Sequence, residues 1–208
     1  VFVFDGKAPE LKQKEREKRK SAKLQAQKEY DNAKAKEDVE AMKKYASRTS
    51  LLTPEMVEDA KKLLTHLGMP IIQAPSEGEA QASYMAKKEN CLCVSQDYDS
   101  LLYGTPNLIR NLSIVGKRKQ SEKLKYVTVK PEIINLAEAL NGLRIDNDQL
   151  IVVAMLIGTD YNPGGIKGIG PKNALNLVKK YEKDFDGLFK EVKWGEFFDF
   201  PWTEVYYL

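Results

Sequence analysis

The chain has 208 residues, 42% hydrophobic and 30% charged, enough to bury a core without disulfides or a structural metal. Its longest apolar run, Leu150 to Gly158, falls well short of the roughly 20 residues a helical membrane span needs, which excludes an integral helical membrane protein. Two cysteines one residue apart, Cys91 and Cys93, and a single histidine, His66, leave neither a zinc site nor a histidine-based catalytic triad to be expected.

Val1 to Phe4 reads as a strand buried on both faces, as in a parallel sheet, with Asp5 at its carboxyl end. No basic start or signal core precedes it, and a strand opening at the first residue without Met is expected of a chain that begins inside a domain. From Glu10 to about Ser47 the composition turns to Lys, Glu, Ala, Gln and Arg, which predicts two exposed helices bending between Asp31 and Ala35. Residues 7–48 hold 14 Lys and Arg against 8 Asp and Glu, a balance of +6. With a net charge of +3 the other 166 residues sum to −3, so a basic arm is attached to a mildly acidic body. That asymmetry points to a polyanionic partner held beside a site that needs carboxylates.

Thr53-Pro54 caps a helix whose Met56, Val57, Ala60, Leu63, Leu64 and Leu67 follow helical spacing, the pattern of a packed core helix. Ile71-Ile72 predicts a strand, Glu77 to Lys88 a helix, Cys91 to Ser95 a strand and Asp99 to Tyr103 a helical turn. Strand alternating with helix is the signature of a parallel α/β sheet. Further strands are expected over Leu108 to Ile114 and Tyr126 to Val129 around a basic loop, Lys117-Arg118-Lys119, and helices over Glu132 to Leu140, Asp148 to Ile157 and Pro171 to Lys180. The division expected is a core over 1–130, including an arm over 10–48, and a helical region over 131–208. The closing stretch, rich in aromatics from Trp194 to Tyr207, carries no assignable role.

Acids gather where strands and helices end. Asp5 before Gly6 also suits a turn; Ser76 with Glu79 makes a capping box, and Glu77 suits a helix dipole; Asp97-Tyr98-Asp99 also suits an N-cap and turn; Asp160 also suits an Asx-turn. Gly78 between two glutamates is a costly residue for a first helical turn, however, and six acids at such positions fall where open α/β sheets bind ligands. An all-oxygen set selects a hard divalent cation, Mg²⁺ or Mn²⁺. Two such ions roughly 4 Å apart serve in-line phosphoryl displacement, so the chemistry indicated is phosphodiester hydrolysis.

Gly164 to Gly170, followed by Pro171-Lys172-Asn173 and a helix, has the form of a helix-hairpin-helix over 158–180, with Ile166 and Ile169 as apolar anchors. Its glycines let backbone N–H groups approach a phosphate, and the helix start favours an anion. Gly165, Lys167, Gly168, Gly170, Lys172 and Asn173 are the candidate DNA contacts. In the arm, Lys12 and Arg19 lie two helical turns apart on one face, placed to neutralise phosphate charge or, on the plainer reading, to belong to a solvated helix with Glu15–Arg19 pairing.

Four motifs, Val1 to Lys12, Ala74-Pro-Ser-Glu-Gly-Glu-Ala80, Ser95-Gln-Asp-Tyr-Asp99 and Gly158 to Pro171, together resemble the flap endonucleases, most closely the archaeal branch. The resemblance implies a PIN-like 5′ nuclease fold with a helical arch, and a Mg²⁺-dependent enzyme in which Mn²⁺ substitutes. It implies that Asp5, Glu77, Glu79, Asp97, Asp99 and Asp160 are metal-site acids and that Lys12 and Arg19 are the phosphate-contacting pair. It further implies a K⁺ ion at the hairpin, 5′-flap and nicked duplex DNA as substrates, 5′–3′ exonuclease action, a monomer, and a place on the archaeal nucleoid in the cytoplasm or, in a eukaryote, the nucleus. The family's segment before the first strand, with a further metal-site Asp, is not matched, so the chain is expected to be a fragment, incomplete for catalysis on its own; the clamp-binding stretch is not matched either, and a sliding clamp is a partner by resemblance alone. The alternative reading is a DNA-junction-binding module without catalysis.

Overall fold

The computed structural model describes residues 1–46, 48–49, 52–113, 116–119 and 126–208. Two compact units arise, residues 1–2 with 8–72 and residues 3–7 with 73–208, and they cut across the expected core over 1–130. Among the described residues no helix is long and apolar enough to cross a membrane.

The first strand, β1 (Phe2–Phe4), is shared by the two units. In the first unit a single 3₁₀ turn, Glu10–Lys12, leads into α1 (Gln13–Ala35), and α2 (Val39–Ala46) folds back after it. The reversal is made by Glu37 in the left-handed conformation (φ 57°), after which the Asp38 carboxylate accepts the Ala41 N–H at 3.0 Å. Among the described residues α1 buries only Ala26 and Ala33, as its Lys-, Glu- and Gln-rich sequence requires. Next, α3 (Pro54–His66) starts as expected, with Thr53 accepting the Met56 N–H and Pro54 in the first turn. Its expected place in the core is not found: it has no buried residue, and Met56, Leu63 and Leu67 are 56%, 61% and 65% exposed. The helical period is real, but its apolar stripe is left uncovered.

The next strand, β2 (Ile71–Gln73), pairs with β1. The Phe2 N–H donates to Pro70 in the first unit, and the Ala74 N–H to Phe4 in the second. Phe2 is 44% exposed, so β1 is not the doubly buried strand expected; β2 is its sole sheet partner among the described residues.

The second unit continues with α4 (Gly78–Lys88), β3 (Cys93–Val94), α5 (Asp99–Leu102) and β4 (Asn107–Arg110), then β5 (Gly116–Lys119), β6 (Tyr126–Val129) and β7 (Glu132–Asn135). Helices α6 (Leu136–Leu143), α7 (Asn147–Ile157), α8 (Pro171–Tyr181), α9 (Phe185–Glu191) and α10 (Trp202–Tyr206) follow. The sheet β3-β4-β7 is mixed rather than parallel: β3 and β4 run parallel, with Cys93 opposite Leu108, whereas β4 and β7 run antiparallel, with Leu108 opposite Ile134. The predicted helix over Glu132 to Leu140 is thus corrected. β-Branched Ile133-Ile134 joins the sheet, and α6 begins only where the Asn135 side chain accepts the Glu138 N–H at 2.9 Å.

Lys117-Arg118-Lys119, expected in a loop, belongs to β5, which pairs antiparallel with β6. The strand expected to reach Ile114 ends at Arg110, and Ile114 lies outside the described residues. Cys93 is buried and Cys91 exposed, so the expected strand from Cys91 shortens to Cys93–Val94.

The core of this unit centres on Leu108, Val152, Met155, Leu156, Val178 and Leu188, each at most 1% exposed. The closing aromatics form a cluster beside it. Phe189 stacks on Trp202 at 4.8 Å between ring centroids, Trp194 meets Phe189 edge-on at 5.2 Å, and the Trp194 Nε1–H donates to the Phe200 carbonyl at 2.7 Å. That stretch thus packs largely on itself, with Tyr207 left exposed.

Candidate metal centre and nucleic-acid interface

All six candidate acids belong to the second unit. Asp5 follows β1, and its Oδ1 accepts the Gly78 N–H at 2.7 Å, supplying from a distant part of the sequence the cap that the start of α4 needs. The glycine suits this approach: a Cβ on residue 78 would stand 2.9 Å from Asp5 Oδ1 and 3.3 Å from the Asp5 nitrogen, so Asp5 would have to shift to admit one. Glu77 is the N-cap of α4 and makes no side-chain cap bond, so the expected Ser76–Glu79 capping box is not formed.

Glu79 instead takes a hydrogen bond from the Ser95 hydroxyl at the end of β3. Ser95 Oγ also accepts the Asp97 N–H at 3.0 Å, and Asp97 Oδ1 accepts the Asp99 N–H at 3.2 Å. A relay from Glu79 through Ser95 and Asp97 to Asp99 thus joins the start of α4 to the start of α5. Arg110 braces the same turn: its Nε–H donates to the Gln96 carbonyl at 3.2 Å, and its guanidinium lies 3.8 Å from the Tyr98 ring centroid.

Asp160 sits in the turn after α7. Asn162, fully buried, fixes that turn, donating to the Met155 carbonyl at 2.7 Å and accepting from the Thr159 hydroxyl and N–H at 2.6 and 3.2 Å. The adjacent Tyr161 hydroxyl is hydrogen-bonded to that of Tyr103 at 2.8 Å.

The electrostatics connect these segments. Glu79 titrates above the usual glutamate range, first because it is partly desolvated and then because Asp97, Asp99 and Asp5 repel its charge, against the Ser95 hydrogen bond that favours it. Burial pushes the Tyr103 and Tyr161 hydroxyls up; Glu77 and Asp99 add to this at both, and Asp160 at Tyr161. Asp99 thus acts on all three groups, beside Asp97 and Asp5 at Glu79 and beside Glu77 at the two tyrosines. The donors, all carboxylate oxygens, suit a hard divalent cation. Among the described residues no three His, Cys, Asp or Glu side chains are grouped as the ligands of one ion.

Because Glu79 holds its proton more tightly in the folded chain, the folded state binds more protons than the unfolded one above the ordinary carboxyl range. Its contribution is neutral below the unfolded value and becomes destabilising as the pH rises through the folded value. Without metal, Glu79→Gln is expected to unfold at a higher temperature than wild type at pH 7 and to lose that advantage towards pH 4, as thermal melts in chelator would show.

In the hairpin, Ile166 is buried and Ile169 half-buried, and the Ile166 N–H donates to the Leu156 carbonyl at 2.8 Å. Gly165 is buried against the end of α7, so its part is close packing. Lys167, Gly168, Gly170, Lys172 and Asn173 are exposed at the start of α8, where Gly170 is the N-cap without a side-chain bond. In the first unit, Lys12 ends the 3₁₀ turn and caps α1, while the Arg19 Nε–H pairs with Glu15 at 3.1 Å.

Sequence reasoning had no role for Ser95, Tyr103, Arg110 or Tyr161. Only Ser95 carried a signal, since residues 95 and 97 share a face on a strand.

Residues 68–160 match the XPG I-region family. The chain is 57% identical over 185 residues to flap endonuclease 1 of Pyrococcus abyssi, covering 88% of this chain and 54% of that one. Among solved structures it is similar to flap endonuclease-1 from Methanococcus jannaschii, with TM-score 0.59 and 49% identity, covering 92% of this chain and 56% of that one. It is also similar to the catalytic core of Rad2 in complex with DNA substrate, with TM-score 0.58 and 25% identity, covering 88% of this chain and 46% of that one. The chain spans about half the length of the curated relatives it matches. The fold is the 5′ nuclease fold of these solved structures. Within that class the chain is similar to the archaeal flap endonucleases.

Proposed function

We propose that this chain is the nuclease portion of a structure-specific 5′ flap endonuclease that hydrolyses DNA phosphodiesters at single-strand to duplex junctions in replication and repair, with 5′–3′ exonuclease action on nicks. The observation that supports the reading is the set of hydrogen bonds tying three separated stretches of sequence together, Asp5 to the Gly78 N–H and Glu79 through Ser95 to Asp97 and Asp99. Asp5, Glu77, Glu79, Asp97, Asp99 and Asp160 are the residues that would hold Mg²⁺ or Mn²⁺. A divalent cation bound there supplies Lewis-acid stabilisation of charge on the phosphate.

The chain's own groups do the rest. Lys12 and Arg19 neutralise phosphate charge, and the exposed amides and lysines of the hairpin hold the duplex backbone, reading shape rather than sequence. A K⁺ ion at the hairpin, a monomeric state, a sliding-clamp partner and a place on the archaeal nucleoid extend the same proposal by kinship. The absence, among the described residues, of three ligand-type side chains grouped around one point favours the second reading, a junction-binding module without turnover.

Cleavage of an end-labelled 5′-flap duplex in Mg²⁺ separates the two, with a full-length archaeal flap endonuclease as positive control. Cutting at the junction is expected once the family's amino-terminal segment is joined to the chain, and its loss in chelator. Tight junction binding with no cutting, with that segment as well as without it, would establish the binding module instead.

A further inference from the structure

The turn that carries Asp160 and the helix that begins with Asp99 are joined by a contact that the nuclease chemistry does not itself require. Residues 159–166 are fixed to α7 by Asn162 and by the Ile166–Leu156 backbone bond, so Asp160, Tyr161 and the root of the hairpin move with α7. On the other side, Tyr103 is the C-cap of α5, whose first residue is Asp99; this helix has only four residues, too short to hold its own position. Two side-chain bonds connect the two bodies. Asn147 Nδ2–H donates to the Leu102 carbonyl at 3.2 Å, and the Tyr103 and Tyr161 hydroxyls meet at 2.8 Å, partly buried. Each tyrosine is half-buried and adjoins a segment that carries a candidate acid, so the bond between the hydroxyls ties one segment to the other.

We propose that Tyr103 and Tyr161 are a positioning pair that sets Asp160 against Asp99 and so couples the hairpin turn to the acid cluster. Neither tyrosine is a ligand or a proton carrier in this proposal; each acts through the acid beside it. Partners of this kind orient the groups that bind a metal and are energetically visible even though they never touch it.

The inference rests on the acids being a metal site, and its test keeps the two apart. Tyr103→Phe, Tyr161→Phe and the double variant delete hydroxyls while keeping the rings. Mn²⁺ binding by the 208-residue chain is followed by electron paramagnetic resonance, alongside thermal melts and hydrogen exchange of the 158–166 amides. Each single variant is expected to bind Mn²⁺ roughly tenfold more weakly. The double variant should be no worse than either single one, the 158–166 amides should exchange faster, and the unfolding temperature should stay close to wild type. Wild-type Mn²⁺ affinity in all three variants would overturn the pair and leave the metal reading standing. Additive losses in the double variant would also overturn it, because the hydroxyls would then act separately. No Mn²⁺ binding by the wild-type chain would sink the metal reading itself, and this inference with it.

Discussion

Replacing Asp99 by alanine is expected to reduce junction cleavage by about 10³-fold or more, the loss that follows when several kcal/mol of charge stabilisation leave the reacting phosphate. Asp99 is the acid to choose because its charge reaches Glu79, Tyr103 and Tyr161 alike. Binding of the flap substrate should be nearly unchanged. The exposed hairpin groups, Lys167, Gly168, Gly170, Lys172 and Asn173, lie on a different loop, and phosphate contacts supply most of the affinity. Nor should the metal-free fold suffer. Removing one of the charges that repel Glu79 relieves strain on the cluster, so the melting temperature in chelator should hold or rise. Gel-based cleavage rates, equilibrium binding and melts together distinguish this from simple misfolding, which would lower all three. Turnover near wild type would remove Asp99 from the chemistry and leave the first turn of α5 as its whole role.

What the sequence made legible is what short spacing encodes. Thr53-Pro54 starts a helix where it should, the arm reverses within a few residues of the expected bend, and the glycine run closes on α8 at Pro171. All six acids fall in one unit, although only their chain-local context could be read beforehand. What stayed hidden depends on partners distant in sequence. The Ser76–Glu79 pair has the spacing of a capping box, but Asp5 takes over the capping and Glu79 turns to Ser95, so tertiary contacts outcompete a local motif. Gly78 is costly in a first helical turn by local rules, and its reason is the close approach of Asp5, whose carboxylate takes the Gly78 N–H. Ile133-Ile134 fitted helix or strand, and the open edge of β4 decided it. In α3 the periodicity was legible and the burial was not, because an apolar stripe specifies a face without specifying what covers it.

Gly165→Ala is expected to be the most destabilising single-atom-group change in the hairpin, and its comparison with Gly168→Ala isolates the reason. Both glycines are in the left-handed region, with φ +54° and +89°, so both substitutions incur a backbone penalty of ~1–2 kcal/mol. At Gly168 a Cβ meets nothing within 4 Å, and that penalty is the whole effect. At Gly165 the new Cβ would stand 2.3 Å from the Ile157 carbonyl carbon and 2.4 Å from the Leu156 oxygen, both backbone atoms of α7 that cannot turn aside. Overpacking adds ~1–3 kcal/mol, for a total of ~2–5 kcal/mol. For a chain of this size that corresponds to a melting temperature lower by roughly 5–15 °C, against only a few degrees for Gly168→Ala. The forced separation of hairpin from α7 also strains the Ile166–Leu156 bond and shifts the turn that carries Asp160 and Tyr161. Duplex binding should therefore weaken in Gly165→Ala even below its melting temperature, although the residue itself is buried. Equal melting temperatures for the two variants would show that backbone conformation alone requires glycine here and that the hairpin does not depend on close approach to α7.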